Sequence, residues 1–164
     1  LKVNDLCRPC KHLSQILDQK SVSLLTNITS KKRLFQEIAS HIAKQCNLRA
    51  EEVFNALQER EQLGPTGMGN GVAIPHARLK TVDEIKGMFI KLSKPIDFDA
   101  VDRQRVDLIF VIIAPSNSSA DHLKALAKVS RLLRDQNICS KLRSAEDTST
   151  SYTILTQDMD IKAA

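Results

Sequence analysis

Apolar positions along the chain fall into helical and strand periods, and their alternation predicts the order of elements. Leu13, Ile16 and Leu17 open with a short helical spacing, after which Ser21–Thr26 alternates as a strand does. Ser30 reads as the N-cap of a helix running to about Cys46, in which Leu34, Ile38 and Ile42 recur every four residues as a core-facing stripe. Asn47 interrupts the pattern, and a second helix from about Ala50 to Gln62 sets Val53 and Leu57 on one face. Val72-Ala73-Ile74 is strand-like, Gly87–Leu92 is a further strand, and Val106–Ile113 carries an unbroken Leu-Ile-Phe-Val-Ile-Ile typical of a central strand buried on both faces. A helix from about Ala120 to Arg134 follows the polar Pro115–Ser119 loop, with Leu123, Leu126, Leu133 and either Val129 or Ala127 as its expected buried stripe. Ile138–Ala145 and Thr148–Thr156 read as a short helix and a weak final one.

That pattern leaves one stretch unexplained. Gly64–Arg78 reads GPTGMGNGVAIPHAR and holds four of the five glycines of the chain, Gly64, Gly67, Gly69 and Gly71, within eight residues. Glycine at this density marks backbone that turns left-handed or approaches another group closely. The loop leads through Val72-Ala73-Ile74 to Pro75-His76, and histidine is the side chain best suited to exchange a group near neutral pH. Nucleophilic chemistry at His76 is the reading these residues support.

Composition narrows the setting. The 164 residues are about one domain long, with 42% hydrophobic and 26% charged positions, as in an ordinary globular protein. We expect a single domain over 1–164 with its core at about 13–156 and looser segments at either end. Twenty-four basic residues against 19 acidic give a net charge of +5. The two signs are mixed along the chain, which argues against nucleic-acid binding and fits a mildly basic surface suited to an acidic protein partner. Leu108–Ala114, the longest apolar run, is too short to span a bilayer, so no membrane insertion and a cytoplasmic location are expected. Cys7 and Cys10 have CxxC spacing, but no second paired motif completes a zinc site, and the four cysteines read as reduced and incidental. The aspartates of Lys94–Asp102 read as turn formers, because a calcium loop needs more oxygen ligands and a glycine at the turn.

Two further residues have positions that suit chemistry. Arg60 ends the second helix just before the glycine loop, where it either holds phosphate oxygens or compensates the helix dipole beside Glu59 and Glu61. His122 falls in the first turn of the helix after the central strand, where free N–H groups favour an anion and disfavour an imidazolium. It is either a neutral hydrogen-bond donor or a surface histidine. His41, beside the first helical stripe, reads as a boundary residue. Gly67-x-Gly69-x-Gly71 lacks the dinucleotide-binding spacing, and no P-loop, HExxH or GxSxG is present.

Glu59-Arg60-Glu61 followed by Gly64-x-Thr66-Gly67-x-Gly69-x-Gly71-x-Ala73-Ile74-Pro75-His76 resembles the active-site signature of the fructose/mannitol-type enzyme IIA domains of the bacterial phosphoenolpyruvate-dependent phosphotransferase system. Asn70-Gly71 and the later Pro95-Ile-x-Phe98-Asp99-Ala100-x-Asp102-x-Gln104-x-Val106-Asp107-Leu108 resemble the nitrogen-regulatory branch of that group. The resemblance implies an α/β fold with a mixed β-sheet flanked by helices on both faces. It implies that His76 accepts a phosphoryl group from a histidine-containing phosphocarrier protein, with His122 and Arg60 completing the catalytic site and no cofactor required. Regulated target proteins would then respond to the phosphorylation state, potassium-transport proteins and sensor kinases being those the resemblance suggests. A sugar-specific IIA serving a IIB transporter domain and a phosphorylation-independent binding module are the alternatives. Sugar-transporting members often carry glutamate where this chain has Asn70, so the expectation is one fewer negative charge at a phosphate site.

Overall fold

The computed structural model describes residues 13–162. The Cys7/Cys10 pair therefore lies outside the described residues. Helix α1 (Leu13–Ile16) leads into β1 (Leu17–Leu25), followed by α2 (Lys31–Cys46) and α3 (Ala50–Leu63). The glycine stretch forms β2 (Gly67–Gly69), β3 (Val72–Ala73) and β4 (His76–Leu79). Then come β5 (Lys86–Ile96), β6 (Val106–Pro115), α4 (Ser119–Leu133), α5 (Gln136–Ser144) and α6 (Thr148–Lys162). The strands join one mixed sheet in the order β1-β5-β6-β3-β2, with β4 also pairing with β6. No helix among the described residues is long and apolar enough to cross a membrane.

β6 is the axis of the molecule. Its six residues Leu108–Ile113 are completely buried, and their side chains alternate between the two faces of the sheet. Ile109, Val111 and Ile113 pack with Leu34, Ile38, Ile42, Val53 and Leu57 of α2 and α3. Leu108, Phe110 and Ile112 pack with Val129, Leu132 and Leu133 of α4 and with Ile138 and Leu142 of α5. Each such side chain contributes about 1.5–3 kcal/mol by leaving water. The strand that carries most of this burial is therefore a rigid reference for whatever is aligned along it.

Local sequence explains the ends of the elements. The Ser30 hydroxyl accepts from the Arg33 amide at 3.1 Å and starts α2, while Asn47 closes it in the left-handed conformation at φ 53°. Gly67 is required by close packing: a Cβ there would lie 2.8 Å from the Ala100 Cβ. Asp97 and Asp102 act as turn formers, accepting from the amides of Asp99 and Gln104 at 3.0 and 3.1 Å.

Some expectations shift. β1 begins at Leu17, four residues before the alternation becomes visible at Ser21, and β5 continues past Leu92 to Ile96. In α4 the buried stripe is His122, Val129, Leu132 and Leu133; Leu123 is 66% exposed and Ala127 is exposed too. Leucine alone misplaced that face, because the helix leans its first turn on a histidine instead of an aliphatic side chain.

Candidate functional site

β3 and β4 are nearly one strand, broken at Ile74-Pro75. Val72 and Ala73 align with Leu108 and Ile109 of β6, and His76 to Leu79 align with Ile112 to Pro115, all in parallel. Across the break the Ile112 amide donates to the Pro75 carbonyl at 3.0 Å, and the Ile74 amide turns away to the Thr66 carbonyl at 3.0 Å. Proline has no N–H to offer a neighbouring strand, so it suits an edge. β4 pairs with β6 alone and leaves its outer side open. The break also redistributes the side chains: Ile74 packs in the core under α4 and α5, whereas Ala77 and Leu79 pack in the core under α2 and α3. His76 stands between these two groups, at the seam of the helical layers.

Both layers send a residue to it. Arg60, in the last turn of α3, donates from Nε to His76 Nε2 at 3.1 Å and from one terminal nitrogen to the Gly64 carbonyl at 3.0 Å. The His76 Nδ1 lies 2.9 Å from the Ile74 carbonyl oxygen. A carbonyl only accepts, so Nδ1 carries the proton and the Nε2 lone pair faces Arg60 and the cleft. From α4 comes His122, its ring centroid 5.4 Å from that of His76 at an interplanar angle of 64°. Thus Arg60, His76 and His122, separated by up to 62 positions in sequence, meet at one point.

His122 is 6% exposed, and its Nε2 is buried without a hydrogen-bond partner among the described residues. Leaving such a group unsatisfied costs on the order of 1–3 kcal/mol, which points to a ligand atom that completes it. Burial, reinforced by the charges of His76, Arg78 and Arg60, pushes its pKa down to about 4. His76 is also lowered, mainly by burial, with its bond to the Ile74 carbonyl opposing the shift and the Arg60 charge adding to it. Near pH 7 both rings are neutral, one with a lone pair to give and the other with a proton to donate.

A cleft of about 360 Å³ opens over the pair. Its polar lining is Glu59, Arg60, His76, Arg78 and His122, and its apolar lining includes Leu63, Leu123 and Leu126. Leu63 and Leu123 are 86% and 66% exposed, so the mouth is rimmed by apolar side chains facing solvent. Glu61 is not the partner of Arg60. Its carboxylate accepts from the Thr66 amide and hydroxyl and from Lys31 Nζ at 3.1 Å, which ties the glycine loop to α2.

Asn70 is not at this site. It occupies the tip of the β2–β3 hairpin at φ 56°, where its amide donates to Asp102 at 2.8 Å and its carbonyl accepts from Arg143 at 2.8 Å. The Gly71 carbonyl accepts from Asp107 at the start of β6, whereas His76 aligns with Ile112. Five residues of parallel strand separate the two places by about 16 Å. The loss of a negative charge at Asn70 therefore falls outside the histidine cleft. Arg78 and the leucine rim were not identified from sequence; the available signal was position alone, Arg78 standing two residues after His76 on a strand.

The family relationships agree with this architecture. Residues 15–158 match the family model described as phosphoenolpyruvate-dependent sugar phosphotransferase system, EIIA 2. The chain is 42% identical over 143 residues to a nitrogen regulatory protein of Bradyrhizobium diazoefficiens, covering 87% of this chain and 94% of the relative. The crystal structure of nitrogen regulatory protein IIA-Ntr from Neisseria meningitidis superposes with a TM-score of 0.83 at 36% identity, covering 88% and 99% of the two chains. The mannitol IIA of Escherichia coli, at 19% identity and a TM-score of 0.71 over 84% and 97%, shares the fold. With a sheet edge that presents a histidine between two helical layers, the chain belongs to the EIIA 2 family of the phosphoenolpyruvate-dependent phosphotransferase system.

Proposed function

We propose that the protein is a nitrogen-regulatory type phosphoryl acceptor, with His76 Nε2 as the atom phosphorylated by a histidine-containing phosphocarrier protein. The observation that carries this reading is the tautomer: Ile74 O holds the Nδ1 proton, which leaves Nε2 as a nucleophile at the mouth of a cleft. In the transfer, the Nε2 lone pair forms a P–N bond as the donor's P–N bond breaks. The electron pair of the broken bond returns to the donor nitrogen, and the donor leaves as a neutral imidazole. No oxidation or reduction is involved. Phosphoryl transfer asks mainly for positioning and charge stabilisation, and the proposed roles divide accordingly.

Arg60 covers Nε2 in the resting site, and its N–H moves from the nitrogen to a phosphoryl oxygen as the group arrives. His122 supplies the second donor, neutral and already desolvated, so that its unpaired Nε2 is completed by the phosphoryl group. The exposed Leu63 and Leu123 beside the cleft fit a protein surface as donor. Similarity to the Bradyrhizobium and Neisseria proteins supports the regulatory branch over a sugar-specific one. Phosphorylation would place roughly −1.5 to −2 of charge in this rim and so change which partners bind.

The test is intact-mass spectrometry after incubation with enzyme I, the phosphocarrier and phosphoenolpyruvate. Wild type should gain one acid-labile phosphoryl group and His76→Ala none. Labelling of both proteins, or of neither with a competent donor, would exclude His76 as the acceptor.

A further inference from the structure

Arg78 is the one guanidinium of the cleft that Arg60's role leaves unexplained. It stands two residues beyond His76 on β4, so strand alternation directs both side chains to the same face. It lines the cleft and is exposed, yet it makes no hydrogen bond or ion pair with any described residue. Its charge is felt by both histidines, lowering the basicity of His76 and of His122. In the resting protein that interaction is purely repulsive towards protonation. A phosphoryl group on Nε2 inverts its sign, because the same cation then faces an anion.

The geometry of the group gives the arginine a place. A phosphoryl group on nitrogen presents three free oxygens. Arg60 reaches from α3 and is held at the Gly64 carbonyl, while His122 reaches from the buried wall below α4. His122 lies on the buried side and the partly buried Arg60 on the α3 side, which leaves an oxygen for a donor carried by β4 itself. We propose that Arg78 binds the phosphoryl group on His76 from the solvent side and thereby retains it on this chain against return to the phosphocarrier. The inference rests on His76 being the acceptor. Return transfer breaks the His76 P–N bond and re-forms the donor's, so stabilising the phosphorylated state displaces that equilibrium directly.

The experiment compares wild type with Arg78→Gln, Arg78→Met and Arg78→Lys, each phosphorylated through enzyme I, the phosphocarrier and phosphoenolpyruvate. Two quantities are read: the equilibrium distribution of the phosphoryl group between chain and phosphocarrier, by intact mass, and the pH titration of the phosphohistidine phosphorus resonance. Arg78→Gln and Arg78→Met should lower the equilibrium constant about tenfold, the scale of one charge-assisted hydrogen bond. The second protonation of their phosphoryl group should also move up by about half a unit to one unit, since an opposite charge nearby is lost. Arg78→Lys should restore most of both. An unchanged distribution and titration in the neutral variants would overturn the assignment. So would a fall in the constant that lysine does not rescue and that leaves the titration where it was, because that pattern belongs to a packing defect. If wild type itself takes no phosphoryl group, the acceptor reading fails and this one fails with it; if wild type is labelled and the neutral Arg78 variants match it in both quantities, the failure is of Arg78 alone.

Discussion

His122 owes its charge state to position. An exposed histidine titrates near 6.5, whereas burial and three neighbouring basic groups hold this one down to about 4. Between those values the unfolded chain binds a proton that the folded chain refuses, so stability must rise with pH from about 4 to about 6.5 and level off above. The contribution is on the order of 3 kcal/mol for the full shift, and the lowered His76 acts in the same direction. Urea midpoints measured across this window should therefore slope less steeply in His122→Gln than in wild type. Equal slopes would mean that the ring is solvated in the free protein. Sequence placed His122 in the first turn of a helix but left its burial open, because the helical period around it counts leucines and Leu123 faces solvent. The residue that faces the core is the histidine, and only the packing of α4 against β6 decides that.

At the scale of elements, the site depends on how α3 passes into the glycine stretch. Arg60 and Glu61 are adjacent in sequence and diverge in function: the arginine turns to His76, and the carboxylate, 7% exposed, turns to Thr66 and Lys31. The Lys31 ammonium also sits 4.7 Å from the Phe98 ring centroid, so one cation joins α2, α3 and the segment before β6. Removing Glu61 would leave the Thr66 amide and a largely desolvated ammonium without their acceptor. Breaking one side of a buried pair of this kind costs about 3–5 kcal/mol, and the partial exposure of Lys31, 21%, lowers that to about 2–3. Glu61→Ala should show that loss in chemical denaturation, and it should slow phosphorylation of the folded fraction because the Gly64 carbonyl that anchors Arg60 belongs to the same turn. Stability equal to wild type would remove Glu61 from this role. The helices α2 and α3 were legible from their four-residue stripes. β4 was not, because a four-residue strand behind a proline carries too little alternation, and its identity comes from pairing with β6.

Across the whole molecule, the cleft exists because a sheet edge lies between two helical layers that are distant in the chain. The central strand and the helix order could be read from periodicity, the mixed α/β architecture from the family resemblance, and His76 from the density of glycine before it. What periodicity could not supply is the convergence of the end of α3 with the start of α4, since that depends on β4 taking the place beside β6 rather than beside β5. The same convergence sets Leu63 and Leu123 on opposite helices at one opening. Large apolar side chains this exposed contribute little to the fold, so replacing them should leave stability nearly unchanged. Their effect should appear in encounter with the protein donor: central apolar contacts of an interface cost upwards of about 1 kcal/mol each when removed. Leu63→Ser with Leu123→Ser is therefore expected to raise KM for the phosphorylated phosphocarrier by roughly tenfold or more, with kcat much less affected. Labelling by the small donor phosphoramidate, which needs no protein surface, should proceed at the wild-type rate in the same variant. If both donors slow together, the leucines shape the site itself; if neither slows, the carrier docks elsewhere on the chain.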